Sequence, residues 1–351
     1  MPLPPGKGEG TQRETQRLGQ YILRRLLVAI PMLIGAMSLV FLAMRILPGD
    51  PCMAMLGEEA TREALRDCTR QLGLDRPLYV QYVDYVYRSL QFDFGRSLRF
   101  RYAVSDYLWR MFPHTFLLVI ASTWVAIILG IPAGVLSALN RRNPLIDYSL
   151  RIVSLLGLSI PVFYFGILLL IVFSLRLDLF PLIGGGDLDT ALELLKSGEV
   201  FEYPFDFLHA VNDVLWHLAL PAFALGFTLA GTVTRLSRSA MLEVISQDYI
   251  RTARSKGLAE RAVVYKHALR NTLIPLLTII GLFVGLTLAG AVLTETVFAR
   301  PGLGKMLVDG IGARDYPLVQ GAVTIFTMTI ILVNLVIDVL YAVIDPRISY
   351  K

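Results

Sequence analysis

Few residues in this 351-residue chain have types and spacings suited to chemistry. Gly302-Leu-Gly-Lys305 comes nearest to a phosphate-binding loop, in which backbone N–H groups and a lysine cradle a nucleotide. It fails on both sides. Ala299 occupies the position of the first glycine, and Met306 that of the hydroxyl residue that would hold magnesium. His-Glu-x-x-His, Gly-x-Ser-x-Gly and Cys/His clusters are absent, and the four histidines are scattered. The chain is therefore expected to have no catalytic residue and no metal site, and it is read as a non-enzyme. Two cysteines, Cys52 and Cys68, are too few for a zinc framework. What remains is a docking element between Gln247 and Pro275. It runs through Asp248, Tyr249, Arg251, Thr252, Ala253, Arg254, Ser255, Lys256, Gly257 and Leu258, then resumes helix-forming composition from Ala259 to Leu269. Gly257 breaks the helix and permits a sharp reversal, and the small Ala253 and Ser255 permit close approach of another backbone. Two partners suit such a basic helix–turn–helix: a protein groove, or an anionic lipid surface.

The elements that must carry this loop are apolar. Hydrophobic residues make up 55% of the chain, charged residues 17%, and mean hydropathy is +0.59. A soluble domain carries about 25% charge, so ordinary soluble enzymes and disordered tails are excluded. Six runs lack Asp, Glu, Lys and Arg: Leu26–Met44, Thr115–Leu139, Ile152–Leu175, Val214–Thr234, Asn271–Thr294 and Tyr316–Ile337. Each is near the ~20 residues that a helical span requires, and lipid leaves the backbone no alternative to helix. Pro31, Pro132, Pro161, Pro221 and Pro275 are expected as kinks or first-turn residues. The first run is too long for a cleaved signal peptide and is read as an uncleaved span behind a polar tail.

Charge sets the orientation. Basic residues precede the first run (Lys7, Arg13, Arg17, Arg24, Arg25) and follow the second (Arg141, Arg142, Arg151). The 235–270 connection holds eight basic and three acidic residues, whereas 176–213 holds two basic and eight acidic. Both termini and the basic connections are expected in the cytoplasm. The first outer loop, 45–114, should contain an amphipathic helix over Glu58–Leu72 and a second over Val80–Gln91, forming a cap. Cys52 and Cys68 lie there in an oxidising compartment, with fifteen residues between them. They can pair, or Cys68 can be a buried thiol. The acidic segment 184–213 has a hinge at Gly184, Gly185 and Gly186, a helix near Leu188–Lys196, and the aromatic residues Phe201, Tyr203 and Phe205. It reads as either a reaching arm or a plain solvated loop. Arg45, Glu295 and Asp338 lie at span ends, where snorkelling explains them. His217 is read as a satisfied interfacial histidine, and Thr324, Thr327, Thr329 and Asn334 as a helix-packing side. No proton relay is visible, which counts against a secondary transporter.

The 247–258 segment resembles the signature cytoplasmic loop of ABC importer permeases, acid-Ala-Ala-x-x-x-Gly. Ala253 and Gly257 match the last Ala and the Gly, while Arg251 and Thr252 replace the acid-Ala pair. That departure resembles the dipeptide/oligopeptide/nickel branch. The likeness continues through Tyr21-Ile-Leu-Arg-Arg25, Leu47-Pro-Gly-Asp-Pro51, Leu72-Gly-Leu-Asp-Arg-Pro77, Gln81-Tyr82, Asp93-Phe-Gly95, Gly157-Leu-Ser-Ile-Pro161, Glu295–Gly304, Arg314-Asp-Tyr-Pro317 and Asp338–Arg347. It is most similar to B-type permeases of dipeptide importers and leaves out residues 1–19. The resemblance implies an all-α, six-span type I importer fold with a helical outer loop after span 1. Its expected divisions are a tail (1–19), the first span with that loop (20–113), a five-span core (114–346) containing the cytoplasmic loop 235–272, and a cytoplasmic end (347–351). It also implies a second permease, two ABC ATPases that bind ATP and magnesium, an extracytoplasmic solute-binding protein, and a bacterial inner-membrane location. Residues 248–258 would couple to the ATPases, and 184–213 would contact the binding protein. Peptides are the implied substrate; nickel, glutathione or another small solute is the rival within the family. A stand-alone channel or secondary transporter is the rival outside it.

Overall fold

The computed structural model describes residues 7–46, 49–57, 60–141 and 143–344. Leu47, Pro48, Glu58, Arg142, the Asp345-Pro-Arg347 motif and the 347–351 end lie outside the described residues. So do the side chains of Tyr21, Pro275 and Asp338. The described residues are almost entirely helical, with one isolated bridge between Arg96 and Ala103. In order the helices are α1 (Lys7–Ile46), α2 (Pro51–Leu56), α3 (Arg62–Gln71), α4 (Leu78–Leu90), α5 (Val104–Leu139), α6 (Pro144–Ser159), α7 (Val162–Leu169), α8 (Leu188–Ser197), α9 (Pro204–Ile245), α10 (Asp248–Ser255), α11 (Glu260–Ala262), α12 (Arg270–Val297), α13 (Leu303–Gly312) and α14 (Tyr316–Ile344). π-Helical turns Leu170–Arg176 and Val263–Leu269 extend α7 and α11. Among the described residues, four stretches are long and apolar enough to cross a membrane: Ile22–Ile46, Val104–Leu139, Pro204–Ile245 and Tyr316–Ile337.

The expected third span is not one straight helix. Its halves, Pro144–Ser159 and Val162–Arg176, meet at 105°. Pro161 forces the break: it supplies no N–H, and its ring pushes Ile160 into extended geometry (φ −84, ψ 123). Pro132 and Pro221, by contrast, stay inside unbroken helices.

The chain forms two compact units, Met1–Ser105 with Gly310–Lys351, and Asp106–Asp309. In the first, α1 packs along α14 and α4 lies against both. Arg45 donates to Gln81 Oε1 at 2.7 Å, Ser38 and Tyr82 share a 2.7 Å hydrogen bond, and the Tyr85 hydroxyl meets Thr324 Oγ1 at 3.1 Å. Arg45 thus serves as a tie between α1 and α4. Thr324 and Thr329 bond carbonyls of their own helix as well, in keeping with a packing role. The expected Glu58–Leu72 helix is shorter, starting behind the Thr61 cap, whose hydroxyl accepts from Ala64 N. A helix not foreseen, α2, starts behind the Asp50 cap and carries Cys52. Cys52 and Cys68 are disulfide-bonded, with Cα atoms 5.9 Å apart, joining α2 to α3. Asp315, fully buried, accepts from Ser97 Oγ at 2.5 Å and from the N–H groups of Arg99 and Leu318, fastening the 97–99 turn to the start of α14.

In the second unit α9 is the spine, contacted by α6, α7, α8 and α12. Close approach depends on missing side chains: a Cβ on Gly231 would lie 2.5 Å from the Ser154 carbonyl of α6. Small residues at such crossings are the usual means of helix association in lipid.

Candidate functional site: the 247–258 loop and the 184–186 corner

The residues from Asp248 to Leu258 form one well-defined element. Asp248 sits in the first turn of α10, where a carboxylate favours the positive end of the helix dipole. Ile250 and Ala253, three apart, project to one side and pack with Val135 and Ala138 of α5, Met241 of α9, and Val263, Val264 and Ala268 of the π-helical turn. Ile250 is fully buried. Ala253 is therefore part of the chain's own core, and the expectation that it receives another backbone needs correction. The outward face keeps Tyr249, Arg251, Thr252, Arg254, Ser255, Lys256 and Leu258 exposed. Apolar Tyr249 and Leu258 among basic neighbours make this a surface fit for a protein groove.

The helix ends in a Schellman turn. Gly257 has φ 76, its N–H donates to Arg254 O at 2.9 Å, and Leu258 N–H donates to Ala253 O at 3.4 Å. Among the described residues nothing beyond the chain neighbours lies within 4 Å of a Cβ placed on Gly257, so glycine is required there by backbone handedness rather than by room. Arg254 then bridges the reversal to Glu260, Nη2 to Oε1 at 2.7 Å and Nε to Oε2 at 3.2 Å. That guanidinium holds the Glu260 carboxyl below the usual carboxylate range. Tyr249 accepts from Asn271 Nδ2 at 3.0 Å, tying α10 to α12. The Glu260 bridge and the Ile250 anchor escaped sequence reading. The i, i+3 spacing of Ile250 and Ala253 was the available signal.

At the opposite end of α9, Gly184, Gly185 and Gly186 do not form an open hinge. Gly184 N–H donates to Phe298 O at 3.3 Å, and Gly185 O accepts from Arg300 Nη1 at 3.3 Å. Gly186, at φ 72, lies so close to Val214 that a Cβ would sit 2.6 Å from its Cα. The glycines are a packed corner, and the hinge expectation is overturned by that contact. Beyond it α8 is held by its Asp187 cap and by Arg110, which donates to Asp189 at 2.5 Å. The arginine holds the Asp189 carboxyl below its ordinary range. Phe201 is 97% exposed and Phe205 84%, with Tyr203 also exposed, so all three aromatic side chains stand free of the chain's core.

Glu295 is no snorkelling side chain, contrary to expectation: it is wholly buried. Its carboxylate accepts from Thr115 Oγ1 at 2.6 Å, Gly304 N at 2.7 Å and Lys305 N at 3.1 Å, capping α13. Thr115 in turn accepts from Leu303 N. A Cβ at Gly302 would fall 2.2 Å from the carboxylate carbon, which accounts for the glycine. His217 bonds the Asp213 carbonyl at 2.9 Å and is satisfied as expected. Among the described residues no group of His, Cys, Asp or Glu is arranged to hold a metal.

Comparison with known proteins accords with this geometry. The family model "Binding-protein-dependent transport system inner membrane component" matches residues 130–350, and its N-terminal companion, "Binding-prot-dependent transport system membrane comp, N-term", matches residues 18–119. The di/tripeptide transport system permease protein DppB of Pseudomonas aeruginosa is 43% identical, covering 94% of this chain and 99% of its own. The oligopeptide transport system permease protein AppB of Bacillus subtilis is 40% identical over 95% of this chain and 100% of its own, and the dipeptide transport system permease protein DppB of Escherichia coli K12 is 40% identical over 95% and 99%. Among solved structures, the inward-facing MetNI methionine ABC transporter has a chain of the same fold, with a TM-score of 0.53 at 16% identity, covering 68% of this chain and 96% of that one. With matches across both its halves, the chain belongs to the family of binding-protein-dependent transport system inner membrane components, as a permease of the dipeptide/oligopeptide type.

Proposed function

We propose that this chain is one of two permease subunits of a bacterial ATP-driven importer for dipeptides or oligopeptides. It lies in the cytoplasmic membrane with both termini inside and contributes half of the translocation pathway. Six spans are formed by α1, α5, the bent α6–α7 pair, α9, α12 and α14. The tail 1–19 and the end 347–351 are cytoplasmic, 20–113 supplies the first span with its outer helical loop, and 114–346 supplies the remaining spans. Two partner ATPases bind ATP and magnesium, and this chain needs no cofactor. The exposed face of α10 with Gly257 and Leu258 docks in an ATPase groove. On the outer side, Phe201, Tyr203 and Phe205 meet the solute-binding protein.

One observation carries this reading: α10 is anchored by Ile250 and Ala253 to α5, α9 and the turn before α12 while its polar face stays uncovered. A lipid anchor needs no such attachment, whereas an element that passes on an ATPase's movement does. Peptides are favoured over nickel, glutathione or another small solute because the relatives above are named for peptides. A stand-alone channel or secondary transporter has no use for this loop. The test is a Lys256→Cys variant in the assembled transporter. It should crosslink to an ATPase subunit and react with an impermeant thiol reagent from the cytoplasmic side only. Labelling from outside, or crosslinking to lipid alone, would overturn the reading.

A further inference from the structure

A groove of about 570 Å³ runs between α6 and α9. Its lining includes three arginines, Arg151, Arg235 and Arg238, and an apolar strip, Ile152, Leu155 and Leu158. The arginines are unequally engaged. Asp147 accepts two hydrogen bonds from Arg238, at 3.0 and 3.1 Å, and one from Ser137. Its Oδ2, which already accepts from Arg238 Nη2, also lies 3.8 Å from Arg151, whose guanidinium stands 5.5 Å from the Tyr148 ring. One carboxylate thus faces two of the three guanidinium groups, with Arg238 as its close partner. No carboxylate pairs with Arg235 among the described residues.

Depth along the groove orders these groups. α6 and α9 run antiparallel, with Asp147 level with Arg238 and Ser154 level with the Gly231 carbonyl, which it bonds at 2.9 Å. Arg151 and Arg235 therefore lie between those two levels. Ile152, Leu155 and Leu158 continue on α6 away from the Asp147 end, towards the middle of the bilayer, and all three are exposed. A cationic head region leading into an exposed apolar wall matches a phosphate followed by acyl chains. Basic pockets between spans near the cytoplasmic side bind such headgroups.

We propose that this groove binds an anionic phospholipid, its phosphate held by Arg151 and Arg235 and its acyl chains laid along Ile152, Leu155 and Leu158. The shared chemistry at the head is that of a phosphate monoanion. Placing the lipid in the inner leaflet rests on the orientation given above, whereas binding itself does not.

The purified transporter, with all its subunits, would be reconstituted in nanodiscs containing phosphatidylglycerol and phosphatidylcholine, and retained lipid measured by native mass spectrometry. Phosphatidylglycerol should be retained selectively. The Arg151→Gln/Arg235→Gln double variant should retain about 30-fold less, on the scale of one basic residue per modest increment. Leu155→Asp, which leaves every arginine and Asp147 in place, should also lose the lipid, and Arg235→Lys should keep it. Each variant's melting temperature separates misfolding from lost binding. Displacement by millimolar inorganic phosphate with no lipid preference would mean that the head region takes free phosphate only, and would overturn the lipid assignment. Equal retention of phosphatidylcholine would overturn it as well. A Ser239→Cys crosslink to the second permease, with no lipid bound, would show that a protein covers the groove instead. Nanodiscs carry the same lipids on both faces, so retention there is independent of orientation, which the Lys256→Cys labelling tests separately.

Discussion

Gly257 offers a graded test of the proposed coupling role of the 248–258 loop. Its φ of 76 lies in the left-handed region, and among the described residues nothing beyond the chain neighbours approaches the place of a Cβ. A substitution therefore costs backbone strain of about 1–2 kcal/mol, with no internal clash to add. Asn tolerates this geometry and should be close to silent, Ala should pay the lower figure, and β-branched Val the upper one or more. α10 has only eight residues, so losing its Schellman turn displaces Leu258 and strains the Arg254–Glu260 bridge. The Ile250 anchor should still hold the helix to the core. Gly257→Val should accordingly reach the membrane at normal levels, lose most uptake in proteoliposomes and retain less ATPase on purification, with Gly257→Ala intermediate. Wild-type uptake by Gly257→Val at equal expression would refute the coupling role. If Gly257→Asn proved as damaging as Gly257→Val, side-chain bulk against the ATPase, and not backbone handedness, would be the cause, and the strain argument would fail.

Intact-mass analysis after alkylation without reductant should find no free thiol at Cys52 or Cys68, and replacing both should cost about 3 kcal/mol for a loop of this size; two alkylated cysteines would contradict the bond. Deleting 188–206 should leave membrane assembly intact and impair transport, and unimpaired transport would dismiss the outer-contact role. Glu295→Leu orphans two buried donors, at about 1–3 kcal/mol each, and a third that is half-buried, so it should sharply lower the melting temperature, more than Thr115→Val; equal effects would argue against the cap. Because Arg254 holds Glu260 below its ordinary value, the bridge contributes above that value of 4.5 and is lost as pH falls through the lowered one. The protection factors of the Gly257–Glu260 amides, taken against the intrinsic exchange rate at each pH, should therefore fall only in acid, and an onset near neutrality would exclude this pair as the cause.

How much of this was legible depended on the range of the interactions involved. The apolar runs and the Gly257 reversal are local, fixed by composition and by one missing Cβ: four of the six runs appear as long apolar helices, a fifth as the bent pair, and the reversal falls at Gly257. The α6–α7 bend was equally local: Pro161, inside the third run, was expected as a kink or first-turn residue, and the restriction it places on Ile160 marks the corner, though not its 105° size. The failures were tertiary. Gly184–Gly186 read as a hinge because glycine runs are flexible in isolation, yet Val214 and Arg300, distant in sequence, close around them. Glu295 read as an interfacial charge because Thr115 and the Gly304 N–H cannot be seen from its neighbours. Gly302 and Gly304, flanking Leu303, were the one hint that something bulky had to fit there.

α9 runs without a break for 42 residues, about 63 Å at the usual helical rise. Phe205 stands in its first turn, fully clear of the protein, and its last turn meets Ile250 through the α10 core. A stiff rod pivoting near its middle behaves as a see-saw. A tilt of about 5° would carry each end through roughly 2.7 Å in opposite directions, given that length. A push on the aromatic tip and a pull on α10 are then two ways of turning one beam. On the proposed assignment, the solute-binding protein at one end and the ATPase at the other would act on a single helix, with no relay of small rearrangements needed between them.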